Sequence, residues 1–344
     1  MPVARVDLTA IVHNCQVVRR MAPDSQIMAV VKADAYGHGL IQVARAIAPW
    51  VDAMAVARVS EAVELRESGI DGDVIVLQGF TSESELKDCA IRQLLPVIHT
   101  ETQIRLMKDE PELPVWLKVD TGMHRLGLVT SRLGDVSRLL NVVGVMSHLA
   151  NSDQSDHPMN QSQLSDFLSC TRGLGHPLSI ANSGAVLSLP DCHLDWVRPG
   201  IMLFGASADG REEPRIQEAM SLTAPVLSVR SLEAGDSVGY GSTWKASERC
   251  RIAVVGIGYA DGYPREIDGG EVQTVAGRRP IVGRVSMDML TILLREEDDF
   301  DVGDQVTLWG EGLGIREVAA WAGTVPYTLM TGLTGRVHRE YIEQ

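Results

Sequence analysis

Apolar and polar positions follow two different rhythms along this chain, and the change falls near Pro214–Met220. Before it, short apolar runs alternate with longer segments whose apolar residues recur at helical spacing. The runs read as strands: Gln26–Lys32, Asp52–Ala57, Val74–Gln78, Leu94–Ile98, Val115–Val119, Val142–His148, Leu178–Asn182 and Trp196–Arg198. The segments between them read as amphipathic helices, including Val59–Ser68, Ser82–Ile91, Glu101–Lys108, Arg132–Leu140 and Gln161–Cys170. Short strands alternating with helices in this way predict a parallel α/β barrel of the TIM-like (β/α)8 kind. An open doubly wound sheet is the alternative. No Gly-x-Gly-x-x-Gly follows the first strand, which weighs against a dinucleotide-binding version of it.

From Thr223 onward the apolar segments are short, rich in β-branched residues and separated by glycine turns. Val226–Val229, Ile252–Ile257, Gln273–Val275, Val285–Leu294 and Gln305–Leu308 read as strands of a mostly antiparallel β domain. Ile315–Trp321 is its one predicted helix, and the acidic run from Arg295 to Asp299 reads as a solvated turn. The expected division is a barrel over residues 8–217 and a β domain over 218–344, with residues 1–7 a candidate strand joining it.

Composition narrows the function classes. The chain has 344 residues, 45% of them hydrophobic, enough for a barrel core and a second domain. A net charge of -14 argues against a nucleic-acid or anionic-membrane surface. No apolar run reaches the roughly 18 residues of a membrane span. Residues 1–7 lack the apolar centre of a signal peptide. Five scattered cysteines suit reduced thiols in cytoplasm, and none has zinc-ligand spacing with another cysteine or a histidine, so no metal site is expected.

Candidate chemistry lies where a barrel keeps it, at the C-terminal ends of the strands. Five apolar residues, Ile27 to Val31, lead into Lys32. An amine there loses water, and desolvation lowers its pKa toward a range where it serves as nucleophile or base. Snorkelling to solvent is the ordinary alternative for such a lysine. Lys118 and Asp120 end the fifth strand, with Arg125 just beyond; His148 ends the sixth, Asn182 and Ser183 the seventh, and Arg198 the eighth. The set is rich in cations and donors, which suits a phosphorylated, carboxylate-bearing ligand.

The segment Lys32-Ala33-Asp34-Ala35-Tyr36-Gly37-His38-Gly39 resembles the cofactor-lysine segment of the alanine racemase family, where a lysine forms a Schiff base with pyridoxal 5'-phosphate. Lys118-Val119-Asp120-Thr121-Gly122-Met123-His124-Arg125-Leu126-Gly127, Ser147-His148-Leu149-Ala150, Ala181-Asn182-Ser183-Gly184-Ala185 and Val197-Arg198-Pro199-Gly200-Ile201 extend the likeness in order and spacing. In the β domain, Val238-Gly239-Tyr240-Gly241-Ser242, Ile257-Gly258-Tyr259-Ala260-Asp261-Gly262-Tyr263 and Gly283-Arg284-Val285-Ser286-Met287-Asp288 continue it.

The resemblance implies roles. Lys32 and Tyr240 are the two catalytic acid/base groups. Tyr36, Ser183 and the Gly200-Ile201 backbone hold the phosphate, with His148, Asn182 and Tyr327 as further cofactor contacts. Arg198 faces the pyridine nitrogen; an arginine can only donate, so it favours an unprotonated ring and limits side reactions. Arg125 and the Met287 N–H bind the substrate carboxylate. Lys118 matches a lysine that is carbamylated in some members; as a free amine it repels Arg125. Asp153, Tyr259, Arg265, Arg284 and Asp288 support the pocket or line the way into it. Tyr240 needs cationic neighbours to act at neutral pH, and His148, bonded onward to Arg198, is expected to supply them. Leu149 stands where an aromatic is common, and the residues flanking Tyr327 depart from the commoner pattern.

These features point to a cytoplasmic, pyridoxal phosphate-dependent amino-acid racemase acting on alanine, as a homodimer whose active sites are shared between subunits. A broader amino-acid racemase and a decarboxylase of the same fold are alternatives; Arg198 and Tyr240 argue against the decarboxylase. A cofactor-binding protein without turnover would lack the stretch from 223 to 344.

Overall fold

All eight apolar runs form strands, and in the computed structural model, which describes residues 1–207 and 210–343, these strands close into a parallel barrel. The first strand of the chain, β1 (Val3–Asp7), lies outside the barrel and pairs with strands from the C-terminal part of the chain. The barrel strands are β2 (Gln26–Val30), β3 (Ala53–Val56), β4 (Asp73–Val76), β5 (Leu95–Ile98), β6 (Val115–Lys118), β7 (Val142–Met146), β8 (Leu178–Ser179) and β9 (Trp196–Val197). Closure comes from β2 pairing with β9, Gln26 opposite Trp196 and Ile27 opposite Val197. All but β5 stop one to three residues short of their predicted ends, among them the strands that end at Val30, Met146, Ser179 and Val197. The residues just beyond, Ser147 and Arg198 among them, still donate backbone bonds to the barrel but turn out of it, which carries polar side chains to the mouth.

Packing inside the barrel is tight. Trp116 and Trp196 meet edge to face with ring centroids 5.8 Å apart. Gly144 on β7 makes room for them: a Cβ there would stand 2.5 Å from the Trp116 ring. The helix Glu101–Leu106 starts where side chains satisfy its first N–H groups. Thr100 accepts from the Gln103 N–H at 3.2 Å while Gln103 reaches back to the Thr100 N–H, a reciprocal cap.

The chain divides into two units. One is Ile11–Gln217; the other comprises Met1–Ala10 and the chain from Glu218 onward. The second unit is built on β10 (Met220–Leu232), followed by β11 (Ser237–Val238), β12 (Trp244–Lys245), β13 (Cys250–Val255), β14 (Glu271–Thr274), β15 (Gly277–Pro280), β16 (Leu290–Leu294), β17 (Gln305–Trp309) and β18 (His338–Ile342). The sheet runs β15-β14-β17-β10-β1-β18, with β13 joining β10 to β16. Only β1 against β18 is parallel; the other pairs are antiparallel.

Three expectations are corrected by the fold. The strand predicted from Val285 begins only at Leu290, because residues 285–289 form a turn closed by the Ser286 N–H on the Met289 carbonyl at 2.8 Å. A second helix, Pro326–Gly332, joins the predicted Ile315–Trp321; Pro326 at its first turn is the start signal. The acidic run is not simply a solvated turn. Asp298 is 2% exposed, pairs with the buried Arg279 and accepts the Arg295 N–H at 2.8 Å. Among the described residues no helix is long and apolar enough to cross a membrane, and no group of three or more His, Cys, Asp or Glu is placed to hold a metal ion.

Candidate active site

Lys32 sits two residues past the end of β2, and the four residues after it have an unusual backbone. Ala33, Asp34, Ala35 and Tyr36 all take left-handed angles, with φ of 55, 54, 50 and 54°. Each such non-glycine residue costs about 1–2 kcal/mol, so the turn persists only because its surroundings fix it. Glu61 Oε1 accepts the Ala33 N–H at 2.7 Å, and Asp34 Oδ1 accepts the Leu40 N–H at 2.7 Å. The turn leaves Lys32 half-buried. Burial, and then the Arg125 charge, hold its amine below the ordinary lysine range, while the Glu61 carboxylate pulls the other way.

Lys32 lies within electrostatic reach of other cations. Lys118, 8% exposed at the end of β6, is pushed down to about 7 by burial, then by Arg198, Arg125 and Lys32. Arg198 is 4% exposed; burial lowers it to about 10, so it stays charged at neutral pH. It donates from Nη1 to Ser179 Oγ at 2.6 Å, and from Nη2 to the Ser147 carbonyl at 2.5 Å and to His148 Nδ1 at 3.3 Å. His148 therefore accepts at Nδ1 and carries its proton on Nε2. Burial and the charges of Arg198, Lys118, Arg125 and Lys32 keep it neutral. The expectation that His148 contributes a positive charge of its own is thus corrected: four basic side chains act on it, and a further charge there is unfavourable.

Beside the cations is a set of hydroxyls and backbone donors. The Tyr36 ring stacks on Phe204 with centroids 4.9 Å apart, and its hydroxyl packs directly against Gly200, where any Cβ would collide with it. Ser183 Oγ accepts the Gly200 N–H at 2.8 Å and faces the Met202 N–H at 3.4 Å; Ile201 between them is buried. Asn182 caps the short helix Ser183–Ser188, its Oδ1 accepting from the Ala185 N–H at 3.2 Å. Close backbone approach, hydroxyls and positive charge together fit a phosphorylated anion.

Arg125 is exposed on a loop that Asp120 shapes. Asp120 Oδ1 accepts the Gly122 and His124 N–H groups at 2.9 and 3.1 Å, and the loop closes where Leu128 N–H meets the Lys118 carbonyl at 2.8 Å. Asp153 is exposed and lines a cavity of about 120 Å³ with Ser152, Gly184 and Ser207.

The remaining candidates belong to the second unit, where they form their own groupings. Tyr240 is 73% exposed, on a turn beside Arg284: a Cβ on Gly241 would stand 3.5 Å from Arg284 Nη1. Tyr259 and Met287 ride on segments tied together by the Tyr259 N–H on the Ser286 carbonyl at 3.1 Å and the Ala260 N–H on the Met287 carbonyl at 2.9 Å. Arg336 braces both, pairing with Asp261 at 3.1 Å and Asp288 at 2.7 Å. Arg265 pairs with Glu266 at 2.7 Å, and Tyr327 lies on the helix Pro326–Gly332. Sequence reasoning did not select Arg336 or Glu61. Arg336 carried no local signal, and Glu61 looked like any glutamate in a first helical turn.

Fold and site together define the class: a two-domain barrel protein whose chemistry is concentrated in one desolvated lysine among cations and hydroxyls. Residues 6–208 match the alanine racemase N-terminal domain profile and 219–341 the C-terminal domain profile. The alanine racemase of Thioalkalivibrio sulfidiphilus is 45% identical over 98% of both chains, and that of Actinobacillus succinogenes 42% over 99% of both. The biosynthetic alanine racemase of Pseudomonas aeruginosa superposes with a TM-score of 0.94 at 41% identity, covering 99% of each chain. The Bartonella henselae alanine racemase, solved with covalently bound pyridoxal phosphate, superposes at 0.92 with 30% identity, again over 99% of each. The chain belongs to the alanine racemase family.

Proposed function

We propose that this chain interconverts L-alanine and D-alanine by two-base chemistry on pyridoxal phosphate. The observation that carries the reading is Lys32: an amine held below its ordinary range, in reach of Arg125 and Lys118, at the mouth of a barrel in a chain of this family. The residues present fit the cofactor. Lys32 would hold it covalently through Nζ, Tyr36, Ser183 and the Gly200-Ile201 backbone its phosphate, and Arg198 its ring nitrogen, with His148, Asn182 and Tyr327 as supporting contacts. When bound, pyridoxal phosphate draws electrons from the Cα of an attached amino acid and makes the α-proton removable.

The chain's own groups do the rest. Lys32 Nζ exchanges a proton at one face of Cα and Tyr240 Oη at the other. Arg198 donates only, so it disfavours a proton on the ring nitrogen and restrains competing reactions. Arg125 grips the substrate carboxylate with its forked guanidinium, aided by the Met287 N–H. Arg284 lies beside the Tyr240 turn and lines the approach to the site. Lys118, near half-protonated at neutral pH, is open to modification as a free amine. Asp153, Tyr259, Arg265 and Asp288 shape the approach.

The 73% exposure of Tyr240 and 52% exposure of Met287 support a homodimer in which a second copy covers them. In this reading residues 8–217 bind the cofactor, 218–344 supply Tyr240 to the partner's site, and the enzyme works in the cytoplasm. A broader amino-acid racemase is the second reading, raised by Leu149 standing where an aromatic is common.

The test is direct. Incubated with L-alanine and pyridoxal phosphate, the purified protein should form D-alanine until the enantiomers are equal. No D-alanine from a cofactor-loaded protein would end the reading, and faster turnover of larger amino acids would favour the second.

A further inference from the structure

We infer that Glu61 is a positioning residue for Lys32, acting through the left-handed turn that succeeds the lysine. The inference rests on the proposed function, in which Lys32 holds pyridoxal phosphate. Glu61 lies in the first turn of the helix Val59–Glu67. Its Oε2 does ordinary work there, accepting the Ala57 and Arg58 N–H groups at 2.8 and 3.0 Å. Helix capping accounts for that oxygen and for nothing more. Its Oε1 reaches back 28 residues to the Ala33 N–H at 2.7 Å. Ala33 is the first of the four left-handed residues, and its amide is the peptide bond leaving Lys32.

The carboxylate therefore fastens the exit of β2 to the β3–helix connection at the point where the chain reverses its hand. Without it, the strained turn has an unsatisfied donor at its entrance and a favourable route back to right-handed geometry. Rotation at that peptide swings the Cα–Cβ vector of Lys32. Charge adds a second effect. Arg125, Lys118 and the neutral His148 share the electrostatic surroundings of Lys32, and Arg198 acts on Lys118 and His148; Glu61 is the acidic group acting on the amine. A nearby carboxylate favours a protonated nitrogen at Nζ.

The experiment uses the cofactor-loaded enzyme and the variants Glu61→Gln and Glu61→Ala. Three quantities are read: release of cofactor on dialysis, the pH midpoint of the absorbance band of the covalently held cofactor, and the melting temperature. Release should quicken by about tenfold or more in Glu61→Ala, and less in Glu61→Gln, whose amide oxygen keeps one acceptor. In both variants the midpoint should move to lower pH, since the protonated nitrogen has lost its carboxylate. Wild-type release and midpoint in a folded Glu61→Gln would overturn the assignment. So would faster release that merely tracks a fall in melting temperature while the midpoint stays fixed, for then Glu61 only holds the fold. A wild-type chain that shows no such band fails the cofactor reading itself, a separate result.

Discussion

Lys118 shows how one buried side chain ties chemistry to stability. Its amine is pushed from 10.5 to about 7, chiefly by burial. The sign comes from proton counting. Between pH 7 and 10.5 the unfolded chain binds this proton and the folded chain does not, so this group makes stability rise with pH across that window. Below it both states are charged, and the folded state carries the whole cost of a buried cation. Lys118→Met should therefore be more stable than wild type below pH 7, on the order of a few kcal/mol, with the gap closing by pH 10.5. Denaturant titrations of the cofactor-free protein in bicarbonate-free buffer would check it; a pH-independent gap would refute it. At this scale the barrel-end cations were legible because position along an apolar run reports burial. The neutrality of His148 was not, because it depends on Lys32, on Lys118 with Arg125, and on Arg198, which arrive from three different segments.

Among elements, the loops proved harder to read than the strands. Periodicity found the barrel strands, yet the residues past their ends leave the sheet wherever polar side chains reach the mouth. The acidic run behaves the same way in the second unit. Its charge density reads as solvent-facing, but Asp298 is drawn inward by Arg279, whose own side chain is 2% exposed. Asp298→Ala leaves that guanidinium buried and unpaired, and should cost about 3–5 kcal/mol of unfolding free energy. Neutralising the neighbouring Glu296 or Glu297, both exposed, should change stability by less than about 0.5 kcal/mol. Equal effects at these positions, measured by chemical denaturation, would show that the pair is not buried in solution.

At the scale of the whole molecule, we propose that the two-base site is shared between two copies. Lys32→Ala should lose the covalently held cofactor's absorbance and nearly all turnover, and Tyr240→Phe should keep the absorbance and lose turnover. Mixed under subunit exchange, the two inactive variants should recover activity. Half the dimers are then mixed and each holds one intact site, so roughly a quarter of all sites return. Mixtures that stay at the level of the separate variants would show that each site is built from a single chain, and would leave the racemase reading standing.

By itself the sequence determined the barrel, the antiparallel character of the second unit and the candidate chemistry at the strand ends. Those properties come from local rhythm: a period near two or near 3.6 selects strand or helix, and an apolar run ending in a charge marks a strand leaving its core. The tertiary structure decided what depends on residues distant in the chain. It set the left-handed turn that four non-glycine residues adopt because Glu61 and Asp34 hold it. It also set the tautomer of His148, the pairing of Asp298 with Arg279, and the Arg336 brace across Asp261 and Asp288. Each is a contact whose energy appears only once the chain has folded, and no local pattern encodes it.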